Sequence, residues 1–327
     1  TPGFEREYIA AVDQVSLKLY DKPAQIVSLV GESGSGKTTL ARMMLGLTPP
    51  TKGEILYRGT RIQDLKKDAW WDFRRNVQPI FQDPFGIYNP FYRVDRALDM
   101  TIKNFNLASS KDEALALKSQ ALRAVDLRPE DVVGRYPHQL SGGQRQRVSV
   151  ARALTVDPRF IVADEAVSMV DVSIRDSLLN MLTRLKDEFD VTFLFITHDL
   201  ALAKYFSWQG GRVSVMYLGR IVETAPTEQL FSAPKQPYTA ALLAAVPAPD
   251  PRVRTRNAPH TAEVANPADP PAGCHFHPRC PHAEERCRHQ VPPLETISPS
   301  HVVRCHLARE LTLDVSYDEA SGLSGTD

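Results

Sequence analysis

A glycine-rich segment near the start of the chain has the spacing of a phosphate-binding loop. It fits the pattern G-x-x-x-x-G-K-S/T and follows an apolar run, Gln25–Val30, that predicts a buried strand. In such a loop, backbone N–H groups and the positive end of the following helix hold phosphate groups. Lys37 is expected to reach the β- and γ-phosphates, and the Thr38 hydroxyl to ligate Mg²⁺. The pattern predicts a nucleotide site formed by Gly31, Ser33, Gly34, Ser35, Gly36, Lys37, Thr38 and Thr39.

Two acidic residues, Asp164 and Glu165, end a second apolar run, Phe160–Ala163. Taken alone, an acidic pair after a strand also suits a helix N-terminus, where negative charge is favoured. In a chain with a phosphate loop, the pair fits the other half of a hydrolytic site. Asp164 can then complete the Mg²⁺ shell, and Glu165 can act as general base on the attacking water.

A second anion-binding pattern lies in the middle of the chain. The segment Leu140–Arg147 reads LSGGQRQR and opens the apolar helical stretch Val148–Leu154. A serine and two glycines before a helix offer N–H groups to an anion, although a capping serine followed by a flexible loop gives the same pattern. A single nucleotide site does not need this second element, which comprises Ser141, Gly142, Gly143 and Gln144.

The segment Leu140–Arg147 resembles the signature sequence of ABC-type ATPases, and the resemblance extends along most of the chain. Gln82 matches the family's glutamine loop, which senses Mg²⁺ and faces the membrane subunit. His198 matches the switch histidine that contacts the γ-phosphate, and Asp171 the aspartate that communicates across the dimer. Tyr8 resembles the aromatic residue that stacks on adenine, with Phe4 as the alternative.

The family resemblance implies an assembly in which two ATPase domains pack head to tail. The phosphate loop of each domain then faces the signature of the other, and ATP is held between them. Closing and reopening of this pair drive two transmembrane permease subunits, and an extracytoplasmic solute-binding protein delivers the cargo. The chain would therefore be a peripheral protein on the cytoplasmic face of the cell membrane. Ala166 departs from the family, which usually has proline after the acidic pair.

The elements around these motifs predict an α/β fold with a largely parallel sheet. The family resemblance makes this a RecA-like P-loop ATPase core over residues 1–235. Further strands are predicted over Val191–Ile196, Val213–Tyr217 and Ile221–Thr224. The helix-rich, strand-poor stretch within residues 85–155 predicts an inserted helical subdomain. Residues 236–327 are rich in proline, which interrupts helices, and they predict an irregular, cysteine-rich extension.

The extension resembles the C-terminal region of ATPases from oligopeptide and dipeptide importers, beginning with QPYTAALL at Gln236–Leu243. The chain has 4 cysteines, all in this region, at C-x5-C-x6-C-x17-C: Cys274, Cys280, Cys287 and Cys305. Four thiolates can bind Zn²⁺ or an iron–sulfur cluster, and the spacing matches neither close zinc pairs nor ferredoxin patterns. The spacing leaves the choice open, and the family resemblance favours a 4Fe–4S cluster over Zn²⁺ and over free or disulfide-bonded cysteines.

The charge balance and the lengths of the apolar runs limit the classes of function that remain. The 327 residues carry 39 Lys and Arg against 39 Asp and Glu, a balance that argues against nucleic acid as a partner. No apolar run approaches the length of a membrane span, which favours a soluble, intracellular protein. Two alternatives to peptide import remain: import of oligosaccharides or another solute by the same machinery, and a soluble ABC ATPase not coupled to transport. The family resemblance places the segment Phe85–Tyr92 beside the groove that receives a short coupling helix of a permease, and its aromatic residues suit an apolar anchor there.

Overall fold

The computed structural model describes residues 9–83, 86, 88–208, 210–246 and 266–313. The chain divides into two compact units. The first unit comprises Thr1–Leu17, Leu29–Lys37 and His198–Asp327, and the second comprises Lys18–Ser28 and Thr38–Thr197. Tyr8 and its alternative Phe4 lie outside the described residues.

The strands are β1 (Ile26–Val30), β2 (Leu56–Tyr57), β3 (Thr60–Arg61), β4 (Val77–Ile80), β5 (Phe160–Asp164), β6 (Thr192–Thr197), β7 (Arg212–Tyr217), β8 (Arg220–Pro226), β9 (Glu295–Ser298) and β10 (His301–Val303). The helices are α1 (Lys37–Met44), α2 (Lys67–Asn76), α3 (Arg96–Asn104), α4 (Lys111–Ala124), α5 (Pro129–Val132), α6 (Gly142–Leu154), α7 (Val172–Phe189), α8 (Leu200–Ser207), α9 (Thr227–Ser232), α10 (Pro237–Ala244) and α11 (Glu285–His289).

The second unit contains a parallel arrangement of strands. β4 pairs in parallel with β5, and β5 with β6, so Ile80 lies opposite Ala163 and Asp164 opposite Ile196. β5 and β6 are nearly continuous apolar runs, as expected for strands covered on both faces. Their carboxyl ends therefore lie at one edge, where the segments after β4 and β5 carry Gln82 and Glu165.

Helices α3 to α6 lie between β4 and β5 along the chain, and no strand is found among the described residues of that stretch. Helix α4 begins with Ser110, whose side chain accepts a hydrogen bond from the Glu113 N–H. The buried ammonium of Lys118 on α4 is paired with Asp95 at 3.2 Å and Asp99 at 2.8 Å. These pairs fix α4 to the start of α3.

The first unit is antiparallel. β8 pairs with β7 and with β10, and β10 pairs with β9, each in the antiparallel sense. β7 and β8 are joined by Leu218 and Gly219, both with positive φ (42° and 81°), which is the geometry of a tight hairpin. The prediction of a largely parallel sheet over the first 235 residues is therefore right for β4 to β6 and wrong for β7 and β8. The short Leu218-Gly219 connection between the two strands was the sequence signal for an antiparallel hairpin.

The prediction of an irregular extension is also incomplete. β10 adds a strand beside β8, with Val302 opposite Thr224. A buried carboxylate holds this junction: Glu223 on β8 is fully buried and pairs with the equally buried His301 at 2.7 Å. The same carboxylate accepts hydrogen bonds from the N–H groups of Lys235 and Gln236. A strand of three residues in a proline-rich segment gives little sequence signal, because its stability comes from this long-range pairing.

Candidate nucleotide site

The glycine-rich loop runs from the end of β1 to the start of α1. Gly36 has φ 101°, and a Cβ at that position would lie 2.0 Å from the Ala11 carbonyl oxygen. A Cβ on Gly31 would lie 2.1 Å from the Met216 carbonyl oxygen. Only glycine therefore fits at these two positions, because the loop passes directly against other backbone. The close approach leaves no room for a side chain at either position.

Lys37 opens α1, and its ammonium is held inside the loop. Its Nζ donates hydrogen bonds to the carbonyl oxygens of Gly31 at 2.8 Å and Glu32 at 2.9 Å, and lies 3.4 Å from Ser35 Oγ. The side chain is 6% exposed. A buried positive charge surrounded by loop backbone is suited to the terminal phosphates of a nucleotide.

Within the second unit, residues predicted as Mg²⁺ ligands line one cavity. Thr38 Oγ1 donates a hydrogen bond of 3.4 Å to Asp164 Oδ1, and Gln82 lines the same cavity of about 340 Å³. A hydroxyl, an amide oxygen and a carboxylate are hard oxygen donors of the kind that Mg²⁺ prefers. The donor set therefore fits the ion that the sequence predicts there.

Glu165 follows Asp164 in a constrained backbone conformation. Its φ is 47°, in the left-handed region, and its N–H donates to the Ile196 carbonyl at 2.9 Å. Its carboxylate accepts a hydrogen bond of 2.8 Å from Gln82 Nε2. The structure thus brings Gln82 and Glu165 together in the second unit. Ala166, where the family usually has proline, is buried.

The predicted signature residues surround the start of α6. Ser141 Oγ accepts a hydrogen bond from the Gln144 N–H, and Gln144 Oε1 accepts one from the Ser141 N–H. This reciprocal capping box is the structural alternative that the pattern allowed. Gly143 is buried against Ile174, whose Cγ2 would lie 2.9 Å from an added Cβ, whereas Ser141 remains exposed.

The other predicted site residues lie at the starts of helices. Asp171 precedes α7 and is exposed; its carbonyl accepts hydrogen bonds from the N–H groups of Ile174 and Arg175. His198 follows β6 directly and is exposed, and Asp199 beside it caps α8 through hydrogen bonds from Ala201 and Leu202.

The four cysteines of the extension are free thiols. Burial raises the pKa of Cys280 to about 11 and that of Cys305 to about 12. The charges of the other cysteines add to both shifts: those of Cys274 and Cys287 raise the pKa of Cys280, and those of all three raise the pKa of Cys305. The Cys274 N–H donates to the Cys287 carbonyl at 2.8 Å. Among the described residues, no group of three or more His, Cys, Asp or Glu side chains is arranged to hold a single metal ion.

Sequence reasoning missed two residues at the loop. Tyr238 and Arg279 both contact Glu32, although each is more than two hundred positions away in sequence. No local pattern carries such a contact.

Two family models match the chain. One, described as ABC transporter, matches residues 12–168, and the other, described as oligopeptide/dipeptide transporter, C-terminal region, matches residues 222–287. A probable peptide ABC transporter ATP-binding protein, y4tS of Sinorhizobium fredii, is 44% identical over 91% of this chain and 83% of its own length. The oligopeptide transport ATP-binding protein AppF of Bacillus subtilis is 41% identical over 91% of this chain and 90% of its own.

Solved structures of ATP-binding cassettes are similar in fold. The dimeric post-hydrolysis structure of the cassette MJ0796 bound to ADP and Pi has a TM-score of 0.57 and 28% sequence identity. The match covers 66% of this chain and 90% of that one.

Proposed function

Because this chain belongs to the family of peptide ABC transporter ATP-binding proteins, we propose that it hydrolyses ATP to power the import of peptides. The observation that carries the proposal is the cavity in the second unit, where Thr38, Gln82 and Asp164 supply oxygen donors. Glu165, the proposed base, is hydrogen-bonded to Gln82. Hydroxyl, amide and acid groups of this kind are what phosphoryl transfer to water requires.

The proposed reaction is an in-line attack of water on the γ-phosphorus. Glu165 accepts the proton of that water, the new P–O bond forms, and the bond to the bridging oxygen of ADP breaks. Lys37 neutralises charge on the β- and γ-phosphates, and His198 contacts the γ-phosphate. Thr38, Gln82 and Asp164 would hold Mg²⁺, which would supply charge neutralisation at the phosphates. Tyr8 is proposed to stack on the adenine.

We propose that two such ATPase subunits, identical or homologous, bind ATP between them. Ser141, Gly142, Gly143 and Gln144 of each chain would contact the nucleotide of the other, since Ser141 is exposed at the start of α6. Asp171 would carry communication across the dimer.

The proposed partners in the membrane are two permease subunits, with an extracytoplasmic solute-binding protein acting through them. The chain would lie on the cytoplasmic face of the membrane as a peripheral subunit. Along the parts of the chain that the structure describes, no helix is long and apolar enough to cross a bilayer.

The proposed domains are an ATPase domain over residues 1–235 and an importer-type extension over residues 236–327. Helices α3 to α6 support a helical subdomain within residues 85–155, because they are consecutive and lie between two paired strands.

For the extension, we propose that Cys274, Cys280, Cys287 and Cys305 hold a 4Fe–4S cluster, with Zn²⁺ as the alternative. The charges of the other three thiols contribute to the raised pKa of Cys305, and four thiols are the donor set that such a cluster takes. A bound cluster would cross-link and so stabilise a segment that has few apolar residues of its own. Iron, sulfide and zinc analysis of protein purified without oxygen decides between the two. One zinc and no iron would overturn the cluster.

The transport proposal is tested with the complete transporter reconstituted in vesicles. We expect peptide uptake that requires ATP, and its abolition in Glu165→Gln transporters. Uptake of an oligosaccharide but not of peptides would show that the transported substrate is an oligosaccharide. ATP hydrolysis without any association with permeases would indicate an ABC ATPase not coupled to transport.

A further inference from the structure

The cysteine-rich extension contacts the phosphate loop through one ion pair. Arg279, which directly precedes Cys280, donates from Nη1 and Nη2 to the two carboxylate oxygens of Glu32 at 3.0 and 2.9 Å. Glu32 is the residue after Gly31 in the loop. The side chain of Arg279 is 8% exposed and that of Glu32 is 26% exposed. A bidentate pair this well shielded is stronger and less sensitive to salt than a surface pair.

A cluster of three buried aromatic rings holds Arg279 and Tyr238, the two residues that contact Glu32, in place. Tyr217, Tyr238 and Phe276 pack with ring centroids 4.5 to 5.5 Å apart. The Arg279 guanidinium carbon lies 5.8 Å from the Tyr217 centroid and 5.6 Å from that of Phe276. The Tyr238 hydroxyl accepts a hydrogen bond of 3.0 Å from the Glu32 N–H. This packing holds Arg279 and Tyr238 in one orientation, which lowers the entropic cost of holding Glu32.

Glu32 is fixed at three of its groups. Its N–H is held by Tyr238, its carboxylate by Arg279, and its carbonyl accepts the hydrogen bond from the Lys37 ammonium. The contact therefore continues from the extension to the lysine predicted to meet the phosphates. A free carboxylate in a phosphate-binding loop would also repel the nucleotide, and the guanidinium cancels that charge.

We propose that the extension forms part of the nucleotide site, with Arg279 and Tyr238 as positioning residues that orient the phosphate loop and neutralise Glu32. The proposal rests on the proposed ATP binding. It implies that ATP affinity depends on a segment more than two hundred residues beyond the loop.

The test is fluorescence titration of the full chain with Mg²⁺ and a fluorescent ATP analogue. Arg279→Ala should raise the Kd about tenfold, the loss expected from removing a charge-assisted contact. Arg279→Lys keeps the charge and loses the fork, so its Kd should rise by about threefold. The matched control is Arg309→Ala, which removes an exposed arginine of the same extension and should leave the Kd unchanged.

Two further variants separate positioning from general loss of structure. Adding Glu32→Gln to Arg279→Ala removes the unpaired charge and should recover most of the affinity. Tyr238→Phe removes only the hydroxyl that accepts from the loop and should raise the Kd by about threefold. If Arg279→Ala does not fold, Arg279→Lys and Tyr238→Phe decide the matter.

In the assembled transporter, Arg279→Ala should raise KM for ATP and leave kcat within about twofold, because the residue does not touch the reacting atoms. A wild-type chain that fails to bind the nucleotide would overturn the proposed function itself. A binding wild type with both Arg279→Lys and Tyr238→Phe at wild-type Kd would overturn only the positioning role.

Discussion

Gln82 Nε2 donates a hydrogen bond of 2.8 Å to Glu165 Oε2, joining the segments that follow the paired strands β4 and β5. The bond orients the carboxylate that we propose as general base. It also gives Gln82 a second role beside its proposed contact with Mg²⁺, since its amide can donate to Glu165 through nitrogen while offering oxygen to the ion.

Replacing Glu165 by Gln should separate binding from hydrolysis. The amide keeps the size of the side chain but cannot accept the proton of the attacking water. We expect kcat of the assembled transporter to fall by about 100-fold or more, with nucleotide affinity retained. The matched control is Glu188→Gln, on the exposed part of α7, which should keep wild-type turnover. Normal turnover in Glu165→Gln would exclude this residue as the base.

The phosphate loop offers a second test, based on close packing. In Gly36→Ala the added Cβ would meet the Ala11 carbonyl at 2.0 Å, so the loop has to move. We expect loss of nucleotide binding by about 100-fold or more in an equilibrium titration, because the N–H groups no longer converge. Gly53→Ala is the control: φ there is also positive (79°), but nothing lies within 4 Å. Equal binding by both variants would mean that the loop tolerates displacement.

Local patterns predicted the strand and helix that flank the glycine-rich loop, and long-range contacts explain what such patterns missed. The strand–loop–helix around Lys37 follows from one continuous segment, and its strand is observed at Ile26–Val30. β10 and the Arg279–Glu32 pair depend on partners far away in sequence, which no local spacing encodes. The capping box at Ser141 shows that a local pattern can also be ambiguous, because the same residues at a helix start suit both capping and anion binding.

The buried carboxylate of Glu223 should be a major source of stability for the extension. Glu223→Ala leaves the N–H groups of Lys235 and Gln236 and the His301 ring without their acceptor in a buried place. Breaking such a site costs about 3–5 kcal/mol, so we expect Tm to fall by about 10 °C in calorimetry. Glu228→Ala, an exposed glutamate on α9, is the control. A Tm equal to that of the control would show that β10 is held by other contacts.

The aromatic segment Phe85–Tyr92 contains one buried and one highly exposed aromatic residue. Phe85 and Ile87 of this segment lie outside the described residues. Tyr88 is 8% exposed and donates to the Arg145 carbonyl at 3.3 Å, whereas Phe91 is 85% exposed. We therefore expect Phe91 to be the proposed anchor for a permease helix, and Tyr88 to support the fold.

Phe91→Ala should reduce co-purification with the permeases by about tenfold and leave Tm unchanged, since an exposed ring contributes to an interface and not to the core. Tyr88→Ala should instead lower Tm, because it opens a cavity beneath the segment. Leu115→Ala, which removes a half-exposed side chain from α4, controls for loss of apolar surface and should assemble normally. Wild-type assembly of Phe91→Ala would exclude this residue as the permease anchor.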